Sequence, residues 1–150
     1  MDIAIKKTSD TGSALKIAEE AKDYFDGFNI LKKDFKTDLL YGAFLGNEMV
    51  GFITYKEINE DIIEISWLAV LPTYRDKGIG TKLVLETLKL FKDKYKTCEV
   101  KTLAETHKDK GYEKTRNFYK KLGFVSREII DHYPGWREHS PCQIFVKFIK

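Results

Sequence analysis

The sequence predicts one α+β domain spanning residues 1–150, built on a mixed, mostly antiparallel central sheet flanked by helices. Three observations carry that expectation. Residues 39–70 hold three apolar, strand-like runs separated by two short turns, the pattern of an antiparallel meander. Two later segments, 81–94 and 113–122, repeat apolar residues at helical spacing, with the short strand-like run 97–103 between them. Two more strand-like runs close the chain. At 150 residues, 43% of them apolar, the chain can bury one adequate core.

Each element has a local cause. Ser9 to Ser13 reads as a loop and helix start, and Leu15, Ile17, Ala18 and Ala21 carry a helix to about Phe25. Residues 27–38 read as irregular or weakly helical, and no strand is assigned before residue 39. In "LLYGAFLG", "EMVGFITYKEI" and "IIEISWLAV" the turns are Gly46-Asn47, a hairpin signal, and Asn59-Glu60-Asp61. Pro72 ends the third strand because it has no N–H to give a ladder. Thr81 to Lys94 places Val84, Leu88, Phe91 and Tyr95 on one helical stripe. "TCEVKTL" is a strand. Glu113 to Leu122 is a helix with Thr115, Phe118, Tyr119 and Leu122 on one side, closed by Gly123. "FVSREII" and "QIFVKFI" are strands separated by a loop holding Pro134, Gly135 and Pro141. No repeat, linker or low-complexity segment interrupts this order.

Composition excludes several classes. A net charge of +3 is too small for a nucleic-acid face. The charge is uneven, however: Lys108, Lys110, Lys114, Arg116, Lys120 and Lys121 stand against Asp109 and Glu113, which suits either a solvated helix face or a small polyanion. Cys98 and Cys142 form no CxxC pair, and His107, His132 and His139 have no ligand spacing, so neither a disulfide framework nor a metal centre is expected. "MDIAIKKTSDTG" has no apolar signal-peptide core and no 18-residue apolar run exists, which makes the cytoplasm the expected location and excludes a membrane partner.

"TYRDKGIGTKL", 73–83, joins the third strand to the next helix. A helix N-terminus presents unpaired N–H groups and about half a positive charge, so a close-fitting turn there can hold an anion. Gly78 and Gly80 permit positive φ and close approach, and Arg75 and Lys77 add charge. Neither G-x-x-x-x-G-K-[ST] nor a complete G-x-G-x-x-G is present, so an ordinary strand-to-helix turn stays as open as an anion-binding loop on these grounds.

"VLPTYRDKGIGTKL" resembles the coenzyme A signature of the GNAT superfamily of N-acetyltransferases, [QR]-x-x-G-x-[GA], here Arg75-Asp76-Lys77-Gly78-Ile79-Gly80. "TRNFYKKLGF", 115–124, resembles the second signature of that superfamily, an aromatic-Tyr pair followed by Gly-Phe. The likeness covers residues 39–149. It implies acetyl-CoA as cofactor and a primary amine as acceptor.

Carried over residue by residue, the resemblance puts the pyrophosphate on Arg75, Asp76, Lys77, Gly78, Ile79, Gly80 and Thr81, and the pantetheine along the backbone of Leu68, Ala69 and Val70. The chemistry needs a base, because an amine resembling lysine has a pKa near ~10.4 and is an ammonium at neutral pH. Glu64 is the candidate: a carboxylate in a central strand is expensive to bury without work or a partner, and it stands where histone-acetylating members place their glutamate. A solvated strand position is the alternative. The N–H of Val70 can donate to the developing oxyanion. Tyr119 is the candidate acid, against a reading as a core aromatic. Where many relatives have an asparagine, this chain has Tyr112, which either replaces it or marks a different hold on the pantetheine; Arg116, Lys114 and Lys120 are either exposed, solvated basic residues or partners of the 3′-phosphate or adenine side.

The acceptor pocket is expected between Tyr24–Phe35 and "DHYPGWREHSPCQIFVK", with Trp136 in a Pro-Gly loop as a substrate-binding aromatic or a hydrophobic plug. Cys142 reads as a buried strand cysteine rather than a nucleophile. The function expected is direct acetyl transfer to a small-molecule amine, and a homodimer is compatible with it. Competing readings are acetylation of a protein N-terminus or lysine, a catalytically idle coenzyme A module, and an RNA-associated accessory protein using the lysines near 114.

Overall fold

The computed structural model describes residues 1–21, 28–107, 112–136 and 140–150. Its strands are β1 (Ile3–Lys7), β2 (Leu39–Leu45), β3 (Glu48–Glu57), β4 (Ile62–Val70), β5 (Thr97–Leu103), β6 (Val125–Ile130) and β7 (Cys142–Phe148). Its helices are α1 (Thr11–Glu20), α2 (Phe28–Asp34), α3 (Ile79–Phe91) and α4 (Glu113–Lys121). One sheet contains all seven strands in the order β1-β2-β3-β4-β5-β7-β6. Only the β4–β5 pair is parallel.

The meander is β2-β3-β4. Gly46 turns the first hairpin at φ +62°, and the side-chain oxygen of Asn59 accepts from the N–H groups of Asp61 (2.8 Å) and Ile62 (3.0 Å) in the second. Strand β1 escapes the sequence reading. "IAIKK" buries only Ile3 and is strand because it pairs antiparallel with β2 along its length, Ile3 opposite Leu45 and Lys7 opposite Tyr41.

Helix boundaries follow caps. Asp10 starts α1: its Oδ1 accepts from the Ser13 N–H (3.0 Å) and its Oδ2 from the Ser13 hydroxyl (2.6 Å), bonds that hold its carboxyl below the usual carboxylate range. The helix ends at Glu20, and residues 22–25 of its expected run lie outside the described residues. The segment read as irregular or weakly helical forms α2, anchored by the fully buried Leu31. Helix α3 begins two residues earlier than expected and ends before Tyr95, whose hydroxyl donates to Glu57. Gly123, at φ +92°, closes α4 while the Phe124 N–H donates to the Tyr119 carbonyl (3.0 Å).

Two cores sandwich the sheet. On one face α3 and α4 cover Ile53, Ile63, Ile65, Val100 and Phe145; on the other α1 and α2 cover Leu40, Phe52 and Ala69. The β4–β5 pairing runs only from Ile62–Thr97 to Ile65–Val100. At that point the register of β3 against β4 also shifts, Tyr55 facing Ile65 and Thr54 facing Trp67, which leaves Ser66 as the extra residue of a bulge. Beyond it β4 and β5 part.

Candidate active site

The parted strands open a cleft of about 1190 Å³, walled by Ser66 to Val70 of β4, Val100 to Thr102 of β5, the turn before α3 and the first turns of α4. The bulge re-aims β4. Ahead of it Ile65 packs into the α3 core; behind it Trp67 and Ala69 pack on the α1 side, and Leu68 and Val70 on the α3 side. The Leu71 N–H donates to the Val50 carbonyl at 2.9 Å. By antiparallel alternation, Leu68 and Val70 therefore turn N–H and C=O toward the open edge. Ala69 directs its backbone into β3, which corrects its expected part in pairing with pantetheine.

The strand-to-helix turn is a cradle. Pro72–Tyr74 form one 3-10 turn, Asp76 lies at φ +61° and Gly78, at the N-cap of α3, at φ +81°. No atom lies within 4 Å of where a Cβ on Gly78 would stand, so the helix N-terminus is open to a ligand. Arg75, Asp76, Gly78, Ile79, Gly80 and Thr81 line the cleft; Lys77 is exposed and does not. Gly80, unlike Gly78, has no positive φ, and a Cβ there would make only ordinary contact with the Phe118 ring at 3.4 Å. Lys114 reaches Asp76 at 3.4 Å across the cleft mouth, an exposed pair of little energetic weight. Unpaired N–H groups, an open glycine and Arg75, Lys114 and Lys121 on the walls suit a pyrophosphate.

The two expected catalytic residues differ in exposure to this cleft. Glu64 is 6% exposed rather than solvated, and its Oε1 lies 2.6 Å from Lys101 Nζ. Glu64 does not line the cleft; Lys101 does. Burial opposes the charge on Lys101, but the Glu64 carboxylate outweighs it and holds the ammonium above its ordinary value. Tyr119 lines the cleft, packed edge-on against Phe118 and Phe124. Burial holds its phenol well above the usual value of 10. Such a phenol stays protonated and so keeps its O–H as a hydrogen-bond donor, whereas full proton loss to a thiolate of pKa roughly 8.5 is uphill.

Arg116 is corrected outright. It is 5% exposed and donates through Nη1 to the Leu103 carbonyl at 2.8 Å, tying α4 to the end of β5 instead of facing a phosphate. The helical register explains this: in "EKTRNFYKK" Arg116 and Tyr119 are three apart and share the buried side. Tyr112 does line the cleft, at the N-cap of α4.

On the α1–α2 side, residues that have no role in the sequence reading stand out. Trp67 lines the cleft and donates its indole N–H to Asp34 Oδ2 (2.8 Å). Ser66 donates to Asp38 Oδ2 (2.7 Å), and Lys56 bridges Asp34 (2.8 Å) and Asp38 (2.9 Å). The end of α2 is thereby fastened to the bulge. On the β5 wall Lys101 is a further one, its Nζ 5.3 Å from the Tyr133 ring centroid. Trp136 packs its ring on Tyr133 at 5.7 Å and does not itself line the cleft. Tyr24 and Phe25 of the expected acceptor wall, with Lys108 and Lys110 of the basic cluster, lie outside the described residues. The signal for Lys101 and Trp67 was present only as strand alternation, which says nothing about a bulge or a parting pair.

Other chemistry finds no support among the described residues: no group of His, Cys, Asp and Glu is disposed to hold a metal, and no helix is long and apolar enough to cross a membrane. Cys142 is buried, which pushes its thiol up to about 11.

Comparison with known proteins gives the following. A sequence model of the Acetyltransferase (GNAT) family matches residues 11–124. No curated protein matches the sequence significantly. Among solved structures, a GNAT-family protein from Desulfovibrio desulfuricans superposes with a TM-score of 0.83 at 16% identity, covering 99% of this chain and 100% of that one. The ribosomal-protein-S18-alanine N-acetyltransferase of Escherichia coli follows at 0.79 and 18% identity, with 99% and 95% covered. A GNAT-family acetyltransferase from Elizabethkingia anophelis, with acetyl-CoA bound, gives 0.74 at 20% identity over 97% of both chains.

Proposed function

This chain belongs to the GNAT family of acetyltransferases, and from that premise we propose that it moves the acetyl group of acetyl-CoA directly onto the primary amine of a small molecule. Membership makes it an acetyl-CoA-dependent N-acetyltransferase; the acceptor and the residue roles are our reading. The observation that carries the reading is the wedge between β4 and β5, with an open helix N-terminus at one end and Glu64 and Tyr119 near its apex.

In this reading Arg75 and the N–H groups from Gly78 to Thr81 hold the pyrophosphate, and the outward N–H and C=O of Leu68 and Val70 pair with the pantetheine arm. Acetyl-CoA brings the activated thioester. Glu64 accepts the amine proton. It does not line the cleft and its Oε1 is engaged by Lys101, so in this reading the proton reaches it through a water held beside Lys101. The Val70 N–H donates to the oxygen on which negative charge develops. Tyr119 steadies the departing sulfur by donating a hydrogen bond from a phenol that stays protonated.

Two measurements test this. Calorimetry with acetyl-CoA should give saturable binding; no heat and no thermal shift would remove the cofactor reading. Thiol release from acetyl-CoA should then accelerate with a member of a primary-amine panel. If a peptide N-terminus were preferred over every small amine, the acceptor would be a protein.

A further inference from the structure

We propose that two copies of this chain join edge to edge through β1, with a two-fold axis normal to the sheet beside Ala4, so that the sheet of one copy continues into the other. The surface lies apart from the cleft. Strand β4 stands three strands away, which leaves the cleft of each copy open.

The backbone shows which groups are free. Strand β1 stands at the end of the sheet, with no described strand on its outer side, and pairs with β2 in one unbroken register from Ile3–Leu45 to Lys7–Tyr41. Just beyond, the Thr8 N–H donates to the Leu40 carbonyl. By antiparallel alternation the even residues therefore face β2, and Ile3, Ile5 and Lys7 turn N–H and C=O outward. Such an edge is a template for another strand unless a bulge, a proline or charge spoils it. The opposite edge is spoiled, since the pairing of β6 shifts between Ser126 and Glu128. Strand β1 has neither bulge nor proline, and its protection is the charge of Lys6 and Lys7.

The side chains fit a second β1 in one register. With Ile3 opposite Ile5 of the second copy, the outward groups of both residues exchange hydrogen bonds, and opposite residues share a face. Ile3 and Ile5 lie on the α3 side, in or against that core, so apolar meets apolar. On the other face Asp2 then stands opposite Lys6 of the second copy, which turns a protecting charge into a contact. Neither Asp2 nor Lys6 is in an ion pair with another described residue, and Lys6 Nζ lies on that face 5.6 Å from the Phe44 ring centroid. A slip of one residue would set outward groups against inward ones, and a slip of two would lose both the isoleucine and the charge pairs. Along the same edge runs a groove of about 320 Å³, lined by Ile3, Ala4 and Ile5 with Glu86, Lys89 and Leu90 of α3. Leu90 is 63% exposed there. The two-fold axis keeps both α3 helices on one side of the joined sheet, so the two grooves meet over the seam and Leu90 is covered.

Sedimentation velocity over a dilution series at low salt should show a monomer–dimer equilibrium with a Kd on the order of 10–100 μM, suited to an interface below about 1,200 Å². Ile5→Pro removes an outward N–H without touching the ladder to β2, and should leave only monomer with the far-UV circular dichroism unchanged. Lys6→Asp sets like charges opposite at two symmetric places and should weaken the dimer on the order of 10-fold, while Asp2→Lys combined with Lys6→Asp should restore it. Monomer at every concentration would overturn the inference. So would a dimer that survives Ile5→Pro, or a loss in Lys6→Asp that the double variant does not rescue.

Discussion

Glu64 shows how much a single position can say and where it stops. A carboxylate amid "IIEISWLAV" was expected either to work or to be solvated, and burial beside Lys101 removes the solvated option. Glu64→Gln keeps the shape but not the charge, and kcat should fall by roughly 100-fold while the acetyl-CoA Kd changes little; steady-state kinetics with calorimetry separates the two. Tyr119→Phe should lower kcat roughly 10- to 100-fold by the same factor from pH 6 to 10, because a phenol held above its usual value stays protonated throughout that range. A pH–rate profile whose alkaline limb vanished in the variant would contradict that role. Arg116→Met removes a buried charge-assisted bond to the Leu103 carbonyl and should cost about 2 kcal/mol in urea unfolding, with acetyl-CoA affinity unchanged. Loss of affinity without loss of stability would restore the phosphate contact that its sequence context suggested.

The elements most responsible for the site are the bulge in β4 and the helix fastened to it. Ser66 has no sequence mark of a bulge, and its hydroxyl is bonded to both Thr54 (2.7 Å) and Asp38 (2.7 Å). The Asp38 carboxylate is 2% exposed, and Asp38→Ala would take one partner from Lys56, which keeps Asp34, and one from Ser66, which keeps Thr54. We expect about 1–2 kcal/mol of destabilisation and faster amide exchange in α2 and at Trp67, measured by denaturant titration and hydrogen exchange; an effect confined to the surface turn would show that α2 is held by Leu31 and its apolar neighbours alone. Helix α3 needs no such device. Val84, Leu88 and Phe91 of its buried face were legible at once, because a periodic buried face follows from the side chains themselves, whereas Tyr95 of the expected stripe lies past its end.

At the scale of the whole molecule, buried lysines and tyrosines share one sign. The Asp34 and Asp38 carboxylates hold Lys56, and Glu64 holds Lys101, above their ordinary value despite burial, while burial holds the Tyr55 and Tyr119 phenols above theirs. Groups whose folded values are raised add stability that is complete below their unfolded values, near 10 for tyrosine and 10.4 for lysine, and is lost as pH rises past them. The urea midpoint should therefore hold through neutral pH and fall above about pH 10, with a shallower fall in a Lys56→Met, Lys101→Met double variant. The meander, helices α3 and α4 and the glycine turn between β4 and α3 were legible in the sequence, because turn chemistry and periodicity act between residues close along the chain. Strand β1, the bulge at Ser66, the inward turn of Arg116 and the place of Trp67 and Lys101 in the lining of one cleft were decided by tertiary structure alone. Each depends on which distant strand lies alongside, a matter of paired backbone and shared burial that no local pattern encodes.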